Sequence, residues 1–141
     1  YFRDISTYGG SASAAAAGVA NIGVIEDDGL IENSKTMGGY LLEQLIAKLG
    51  SHKNVGQIRG KGLFAGVELV EDQDTKKAMH ESKLAAIAGQ CMKNGVIIGR
   101  TNRSLPNFNN TLTLCPALII SEAEIDEIVH AIVHAMNEVL D

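Results

Sequence analysis

The hydrophobic period of the sequence changes at Gly50, and this change limits the possible folds more than any other feature. Before Gly50, residues 11–27 and 30–49 show helical spacing of apolar residues, and the first segment is dominated by alanine, the best helix former. After Gly50, short apolar runs are broken by glycine, which predicts strands over residues 55–59 and 63–70 with a turn at 60–62. The chain therefore begins with two helices that lead into a β-hairpin.

The second half of the chain alternates helices with strands. Its predicted elements are a helix from Asp74 or Thr75 to Lys93, a strand at 96–100, a polar loop at 101–110 and a strand at 111–115. Ser121 and Glu124 form the Ser-x-x-Glu pattern of a capping box ahead of a final amphipathic helix. The order ααββαββα predicts an α+β fold, a small and largely antiparallel sheet covered by helices.

Composition excludes several classes of protein. The 141 residues suffice for one domain with a core, and the net charge of -5 with scattered Lys and Arg argues against nucleic-acid binding. No run of about 18 apolar residues occurs and the start does not resemble a signal peptide, so we expect a cytoplasmic protein with Cys91 and Cys115 reduced. Because the sequence opens on Tyr1 rather than Met, we expect it to be a piece of a longer protein.

Two patterns resemble ligand-binding motifs without matching them. The glycines of residues 59–62, Arg-Gly-Lys-Gly, would suit a phosphate, but the spacing of nucleotide-binding loops is absent, which favours a hairpin turn. His130 and His134 are one helical turn apart, as two metal ligands would be. No third ligand or His-Glu-x-x-His pattern accompanies them, so two polar positions on a solvated helix face are favoured and no metal site is predicted.

Two further patterns are candidate anion sites. Thr7 is followed by Tyr-Gly-Gly directly before the first helix, where a hydroxyl and free backbone N–H groups suit an anion; the local pattern alone favours a simple helix-entry turn. Arg100 ends a predicted strand at the edge of the long loop, where a guanidinium would bind a carboxylate, and Arg103 lies in the loop itself. For either arginine, an ordinary surface position is the more common role. These patterns alone specify an α+β domain without a function.

Five segments, taken in order, resemble the C-terminal part of class III, omega-type, pyridoxal-phosphate-dependent aminotransferases. The segments are STYGGSASAAAAG, NIGVIEDDGLIENS, VGQIRGKGLFAGVELV, GVIIGRTNRS and LTLCPALIISEAEIDEIV. The resemblance runs from Ser6 to the last helix, and the loop segment GRTNRSLPNFNNTL is most similar to the taurine–pyruvate branch of the family.

The resemblance implies a fold-type-I homodimer whose active site lies at the subunit interface. Residues 1–50 would be the linking turn and helices from a large cofactor domain, and residues 51–141 the small C-terminal α+β domain. The implied reaction moves an amino group from an amine or omega-amino acid, such as taurine or β-alanine, to a 2-oxo acid such as pyruvate. The implied partners are the large domain, a second subunit and these small molecules, with no nucleic acid and no membrane.

The resemblance also assigns roles to individual residues. Thr7, with the backbone of Ser6 beside it, would bind the phosphate of the neighbouring subunit's cofactor, and Arg100 would bind the substrate carboxylate. Arg103 stays a competitor, because Arg100 falls one position later after Gly95 than in many relatives and its loop is longer. The family's His-Gly before the threonine turn and its His-Pro or Asn-Pro after it are also replaced here, which leaves substrate contacts near the turn open.

The lysine that binds the cofactor covalently, and the aspartate that pairs with its ring nitrogen, lie upstream of the threonine turn in this family. No lysine of the present chain stands in the matching motif. We therefore expect no catalytic residue in this chain, no specific binding of pyridoxal phosphate by it, and no activity from the isolated chain. The alternatives are a free-standing amino-acid-binding or regulatory module without catalysis, and a purely structural dimerisation domain.

Overall fold

The computed structural model describes residue 7 and residues 9–103 and 105–140. Its helices are α1 (Ala12–Asp27), α2 (Leu30–Leu49), α3 (Glu81–Lys93) and α4 (Glu122–Leu140). Its strands are β1 (Val55–Lys61), β2 (Phe64–Asp72), β3 (Lys77–Ala78), β4 (Gly99–Arg100) and β5 (Thr111–Leu114). The strands pair in the order β1-β2-β5-β4, with β3 on the end of β2, and every pairing is antiparallel. The predicted α+β fold is confirmed.

The hydrophobic core lies between one face of the sheet and helices α2, α3 and α4. Val67 of β2 pairs directly with Leu112 of β5, and both side chains are completely buried. Alternate residues of β2 are buried while Glu68, next to Val67, is half-buried, as expected for a strand covered on one face. The helices contribute completely buried leucine and isoleucine side chains, among them Leu41, Leu45, Leu84, Ile87, Ile125 and Ile132.

Helix α1 stands apart from this core. None of its residues is buried, and α2 is the one element with which it makes contact in the described part of the chain. Val19, Ile22 and Val24 are exposed by 71%, 58% and 50%. Gly29, with φ of 62°, separates α1 from α2, which confirms the predicted helix stop.

The start of α3 was predicted too early, at Asp74 or Thr75. The Asp72 carboxylate instead accepts hydrogen bonds from the backbone N–H and the hydroxyl of Thr75, both at 2.7 Å, and forms a local turn. These bonds hold the pKa of Asp72 below its ordinary value, the backbone N–H of Thr75 being the larger cause. The helix begins at Glu81 after His80, whose Nδ1 accepts from the N–H of Ser82, and the residues in between form the short strand β3.

Two strand boundaries also differ from the sequence prediction. Strand β4 covers two residues rather than 96–100, because the N–H of Val96 closes the end of α3 by donating to the carbonyl of Cys91. Strand β1 extends to Lys61, which pairs with Phe64, so the hairpin turn consists of Gly62 and Leu63 rather than residues 60–62.

The predicted capping box is confirmed at the start of α4. The carboxylate of Glu124 accepts from the N–H of Ser121 at 2.8 Å and from its hydroxyl at 2.7 Å, and the N–H of Glu124 donates to Ser121 Oγ at 3.4 Å. Helix α4 is also tied to α2, because the hydroxyl of Tyr40 donates to Asp126 at 2.9 Å; this hydrogen bond raises the pKa of Tyr40. Across the described ranges, no helix has the length and apolar character needed to cross a bilayer.

Candidate functional site

Arg100 lies on the outer strand of the sheet, directly before the long loop. It pairs with Leu112 of β5, and directly paired residues project to the same face of a sheet. Its side chain is half-buried, and within residues 9–103 and 105–140 it has no carboxylate partner. Arg100 therefore offers a positive charge that this part of the chain does not neutralise, which suits an external carboxylate or sulfonate.

Arg59 and Arg103, the other described arginines, lie in different surroundings from Arg100. Arg59 is occupied, because it donates to Glu68 at 3.0 Å and to Gln57 at 3.1 Å on the face of the sheet opposite the helices. Arg103 is exposed and lies in the loop rather than in a strand. Of the two arginines that are candidates for binding a carboxylate, Arg100 is the one that pairs with a neighbouring strand.

The long loop between β4 and β5 is closed at its base by Thr101 and Thr111. The N–H of Thr101 donates to the carbonyl of Thr111 at 2.9 Å, and the N–H of Thr111 donates back to Thr101 Oγ1 at 3.1 Å. Asn110, which is buried, donates from its side chain to the carbonyl of Leu69 at 2.7 Å. Thr101, Thr111 and Asn110 lie in or beside a run of polar residues, a pattern that is equally typical of an ordinary loop, so their hydrogen bonds were not predicted from the sequence.

A groove of about 760 Å³ lies beside this loop, between it and the segment that leads into α3. Lys77, which lines the groove, forms an ion pair with Glu71, and this contact raises the pKa of the lysine. Asn109 donates to Glu81 at 3.1 Å and thereby ties the loop to the first turn of α3. The groove is thus lined by side chains of both charges, and these side chains do not together indicate one class of ligand.

Thr7, the candidate phosphate ligand, is exposed in the turn before α1, together with Gly9 and Gly10. Ser11 caps the helix by accepting the N–H of Ala14 at 3.4 Å. An exposed hydroxyl beside two glycines and the free N–H groups of a helix N-terminus fits the phosphate of a cofactor. Ser6, the other predicted cofactor ligand, lies outside the described residues.

In the described part of the chain, the elements next to Thr7 and Arg100 have no contact partner in common. Thr7 precedes α1, which contacts α2, whereas β4 contacts β5 and α3. The two candidate anion sites therefore belong to separate parts of the described chain.

The two patterns that resembled ligand-binding motifs have ordinary structural roles. The Arg-Gly-Lys-Gly sequence of residues 59–62 lies at the end of a β-hairpin, as favoured from the sequence. The rings of His130 and His134 stack with centroids 6.4 Å apart, and His134 lies 3.6 Å from Glu138 and 3.3 Å from Asn94. Among the residues that the structure describes, no three His, Cys, Asp or Glu side chains are grouped as metal ligands would be.

Comparison with known proteins identifies the family. The family model described as "Aminotransferase class-III" matches residues 4–136. A crystal structure of an aminotransferase from Bacillus anthracis superposes with a TM-score of 0.92 at 43% identity, covering 98% of this chain and 31% of that one. The chain belongs to the class III aminotransferases.

Curated relatives include enzymes that act on taurine. The chain is 52% identical over 139 residues to a taurine–pyruvate aminotransferase of Bilophila wadsworthia, and 50% identical over 139 residues to a hypotaurine/taurine–pyruvate aminotransferase of Paracoccus denitrificans. In both cases the match covers 99% of this chain and 30% of the relative. The chain therefore spans about 30% of the length of the curated relatives it matches.

Proposed function

We propose that this chain is the C-terminal part of a pyridoxal-phosphate-dependent aminotransferase that moves the amino group of an omega-amino acid, such as taurine or β-alanine, to a 2-oxo acid such as pyruvate. The observation that carries the proposal is the half-buried guanidinium of Arg100 on a strand of the sheet, which has no carboxylate partner within residues 9–103 and 105–140. Both the amino donors and the acceptor carry an acid group, which a guanidinium binds through two parallel hydrogen bonds. The relatives named as taurine–pyruvate and hypotaurine/taurine–pyruvate aminotransferases support the sulfonate as one such group.

In this proposal, the residues of this chain bind and orient the substrate and the cofactor phosphate. Arg100 binds the substrate's acid group and so fixes the distance of the amino group from the reacting centre. Thr7 donates its hydroxyl to the cofactor phosphate, assisted by Ser6 and by the N-terminus of α1. Pyridoxal phosphate, when bound, supplies the electron sink on which amino transfer depends. The proposal assigns none of the described lysines to the covalent bond with the cofactor. The lysine that forms this bond therefore belongs to the rest of the protein.

The architecture proposed for the complete protein is a homodimer. Residues 1–50 link to a large cofactor domain, and residues 51–141 form the small domain. The separation of Thr7 from Arg100 in the described chain supports an arrangement in which Thr7 serves the neighbouring subunit's cofactor while Arg100 serves another part of the site. The exposed apolar side chains of α1, Val19 and Ile22, support burial of that helix against the large domain.

The test of Arg100 uses the complete protein loaded with pyridoxal phosphate. Pyruvate itself carries a carboxylate, so the amino donor is reacted without acceptor and the single-turnover loss of cofactor absorbance is followed. Arg100→Ala is expected to lower kcat/KM for taurine and β-alanine by roughly a hundredfold, since a lost charged hydrogen bond costs about 1.5–3 kcal/mol. An amine without an acid group should react as with the unsubstituted protein.

Arg103→Ala is the matched control, because it removes the same charge three residues away. It is expected to leave both kinds of donor unaffected. Equal losses for acidic and neutral donors in Arg100→Ala, or a selective loss in Arg103→Ala instead, would contradict the assignment of Arg100. A complete protein that shows no amino transfer and instead binds amino acids reversibly would support the regulatory-module alternative.

The isolated 141-residue chain is proposed to be inactive. Incubation with pyridoxal phosphate, followed by reduction and mass spectrometry, should give only scattered partial labelling of lysines. A single lysine labelled stoichiometrically would contradict this proposal, because it would mean that the covalent site is inside the chain.

A further inference from the structure

Strand β4 is too short to fix Arg100 by itself. It has two residues, and its pairing with β5 joins Gly99 to Thr113 and Arg100 to Leu112. Directly beyond Arg100 the chain enters a loop that carries the exposed side chains of Leu105 and Phe108. Long surface loops are more mobile than the elements they connect, so motion of this loop would reach Arg100 unless something held the junction.

Thr101 holds one side of this junction through its side chain. Its N–H donates to the carbonyl of Thr111. Its hydroxyl oxygen accepts a hydrogen bond from the N–H of Thr111 at 3.1 Å, where a regular strand pair would use a backbone carbonyl as the acceptor. The same hydroxyl lies 3.4 Å from the carbonyl oxygen of Thr111, to which it donates. The hydroxyl of Thr101 therefore accepts the hydrogen bond that a backbone carbonyl would accept in a regular strand pair, while the backbone N–H of Thr101 stays bonded to Thr111.

Asn110 holds the other side against the centre of the sheet. Its carbonyl accepts the N–H of Leu69 at 2.7 Å, and its buried side chain donates to the carbonyl of the same leucine at 2.7 Å. That carbonyl also accepts the N–H of Met79 at 3.1 Å. Leu69 is completely buried, so the loop base is joined to the close-packed core of the domain.

We propose that Thr101 and Asn110 are positioning residues for Arg100, because they form a continuous hydrogen-bonded connection from the core at Leu69 to the strand that carries the guanidinium. This inference rests on the proposed function of Arg100 as the ligand of the substrate's acid group. The connection limits how far movement of the loop displaces Arg100. The guanidinium of Arg100 therefore stays where the substrate's acid group binds. Neither residue contacts the substrate in this role.

The test compares Thr101→Val with Thr101→Ser in the complete, cofactor-loaded protein. Valine keeps the shape and the β-branch but removes the hydroxyl, whereas serine keeps the hydroxyl. In the half-reaction without acceptor, Thr101→Val should raise KM for taurine and β-alanine roughly tenfold, since small displacements of positioning groups are costly, and leave a neutral amine within about twofold. Thr101→Ser should behave as the unsubstituted protein, as should Asn102→Ala, an exposed substitution in the same loop.

Amide hydrogen exchange gives a second readout that is independent of turnover. Thr101→Val should speed exchange of the Thr111 N–H by at least about tenfold, because its acceptor is gone, and leave the N–H of Leu69 protected. If the KM values of acidic and neutral donors change equally, or if serine fails to restore them, the positioning role is overturned.

Arg100→Ala, measured alongside, separates this inference from the proposed function. If Arg100→Ala abolishes the preference for acidic donors but Thr101→Val does not alter it, only the positioning role is wrong. If Arg100→Ala leaves the preference intact, the proposed role of Arg100 is wrong and the positioning role is overturned with it.

Discussion

A β-carbon added to Gly38 would lie 2.2 Å from the backbone carbonyl carbon of Gly62, so helix α2 and the β1–β2 hairpin turn pack backbone against backbone. Gly62 has φ of 54°, and a β-carbon added to it would lie 2.8 Å from Ser34 Oγ of the same helix. The buried Leu63, the second residue of the turn, fills the core directly beyond this contact. The glycine that ends the Arg-Gly-Lys-Gly sequence of residues 59–62, which was compared with a phosphate loop, therefore serves the packing of helix α2 against the hairpin.

Gly38→Ala is expected to destabilise the chain strongly. The added methyl group meets backbone atoms, which cannot rotate away, so the helix and the hairpin must separate at a cost of at least about 2 kcal/mol. Urea unfolding followed by circular dichroism measures the change in the free energy of unfolding.

Gly39→Ala is the matched control in the same helix, since apart from the adjoining turns of that helix no atom of the described residues lies within 4 Å of a β-carbon there. Alanine should stabilise this position by up to about 1 kcal/mol, through helix propensity alone. Similar losses of stability for both substitutions would contradict the packing argument.

The capping box makes the stability of α4 depend on pH. The hydroxyl and N–H of Ser121, the hydroxyl being the larger cause, hold the pKa of Glu124 below its ordinary value. Since the folded pKa is the lower one, the contribution of Glu124 is complete above the ordinary glutamate pKa of about 4.3 and is lost as pH falls through the folded value. The free energy of unfolding of the unsubstituted chain and of Glu124→Gln should therefore converge in acid and differ at pH 7.

Glu122→Gln is the control for this pH dependence. Glu122 also lies in the first turn of α4 but takes no part in the hydrogen bonds of the capping box. A loss of stability at pH 7 as large as that of Glu124→Gln would indicate a general charge effect of the helix end rather than the box.

The two cysteines should differ sharply in reactivity. Cys91 is completely buried, its Sγ lies 3.6 Å from the carbonyl oxygen of Ala131, and burial raises its pKa to about 11. Cys115 is exposed. Because the thiolate is the reactive form, iodoacetamide at pH 8 should alkylate Cys115 in the folded chain and reach Cys91 only in denaturant.

Mass spectrometry of Cys115→Ser provides the decisive control for the thiols. This variant should take up no label when folded and one label when unfolded. Rapid labelling of the folded variant would show that the core around α3 and α4 opens far more readily than its complete burial indicates.

The elements predicted correctly are those whose stability is encoded locally. Helix α4 carries its own capping box, and the C-terminal half of α2 presents Leu41, Leu45 and Leu49 on one face, so both helices can be recognised without distant residues. The start of α3 was missed because Asp72 forms a side-chain turn with Thr75, which competes with helix initiation at those positions. Strand β3 exists only because the preceding strand β2 supplies its partners.

In the candidate site too, residues marked by local features were predicted, whereas contacts set by strand register were not. Arg100 was singled out from its position at the end of an apolar run, and Thr7 from its place before a helix, both of which are local features. The connection through Thr101, Thr111 and Asn110 depends on the register in which β5 lies between β2 and β4. A register between strands separated by a long loop is set by the whole core, so no local pattern specifies it.

The role of Thr7 is testable through cofactor affinity in the complete protein. Thr7→Val keeps the shape of the side chain but removes the hydroxyl that we propose donates to the phosphate. Since a hydrogen bond to a charged group contributes about 1.5–3 kcal/mol, the Kd for pyridoxal phosphate should rise roughly tenfold to a hundredfold, while Thr7→Ser keeps the original Kd. Fluorescence titration of the cofactor-free protein measures all three. Because Thr7 is exposed in a turn outside the core, the unfolding temperature of the cofactor-free forms should stay the same. An unchanged Kd in Thr7→Val would contradict the phosphate contact and leave the turn a helix entry alone.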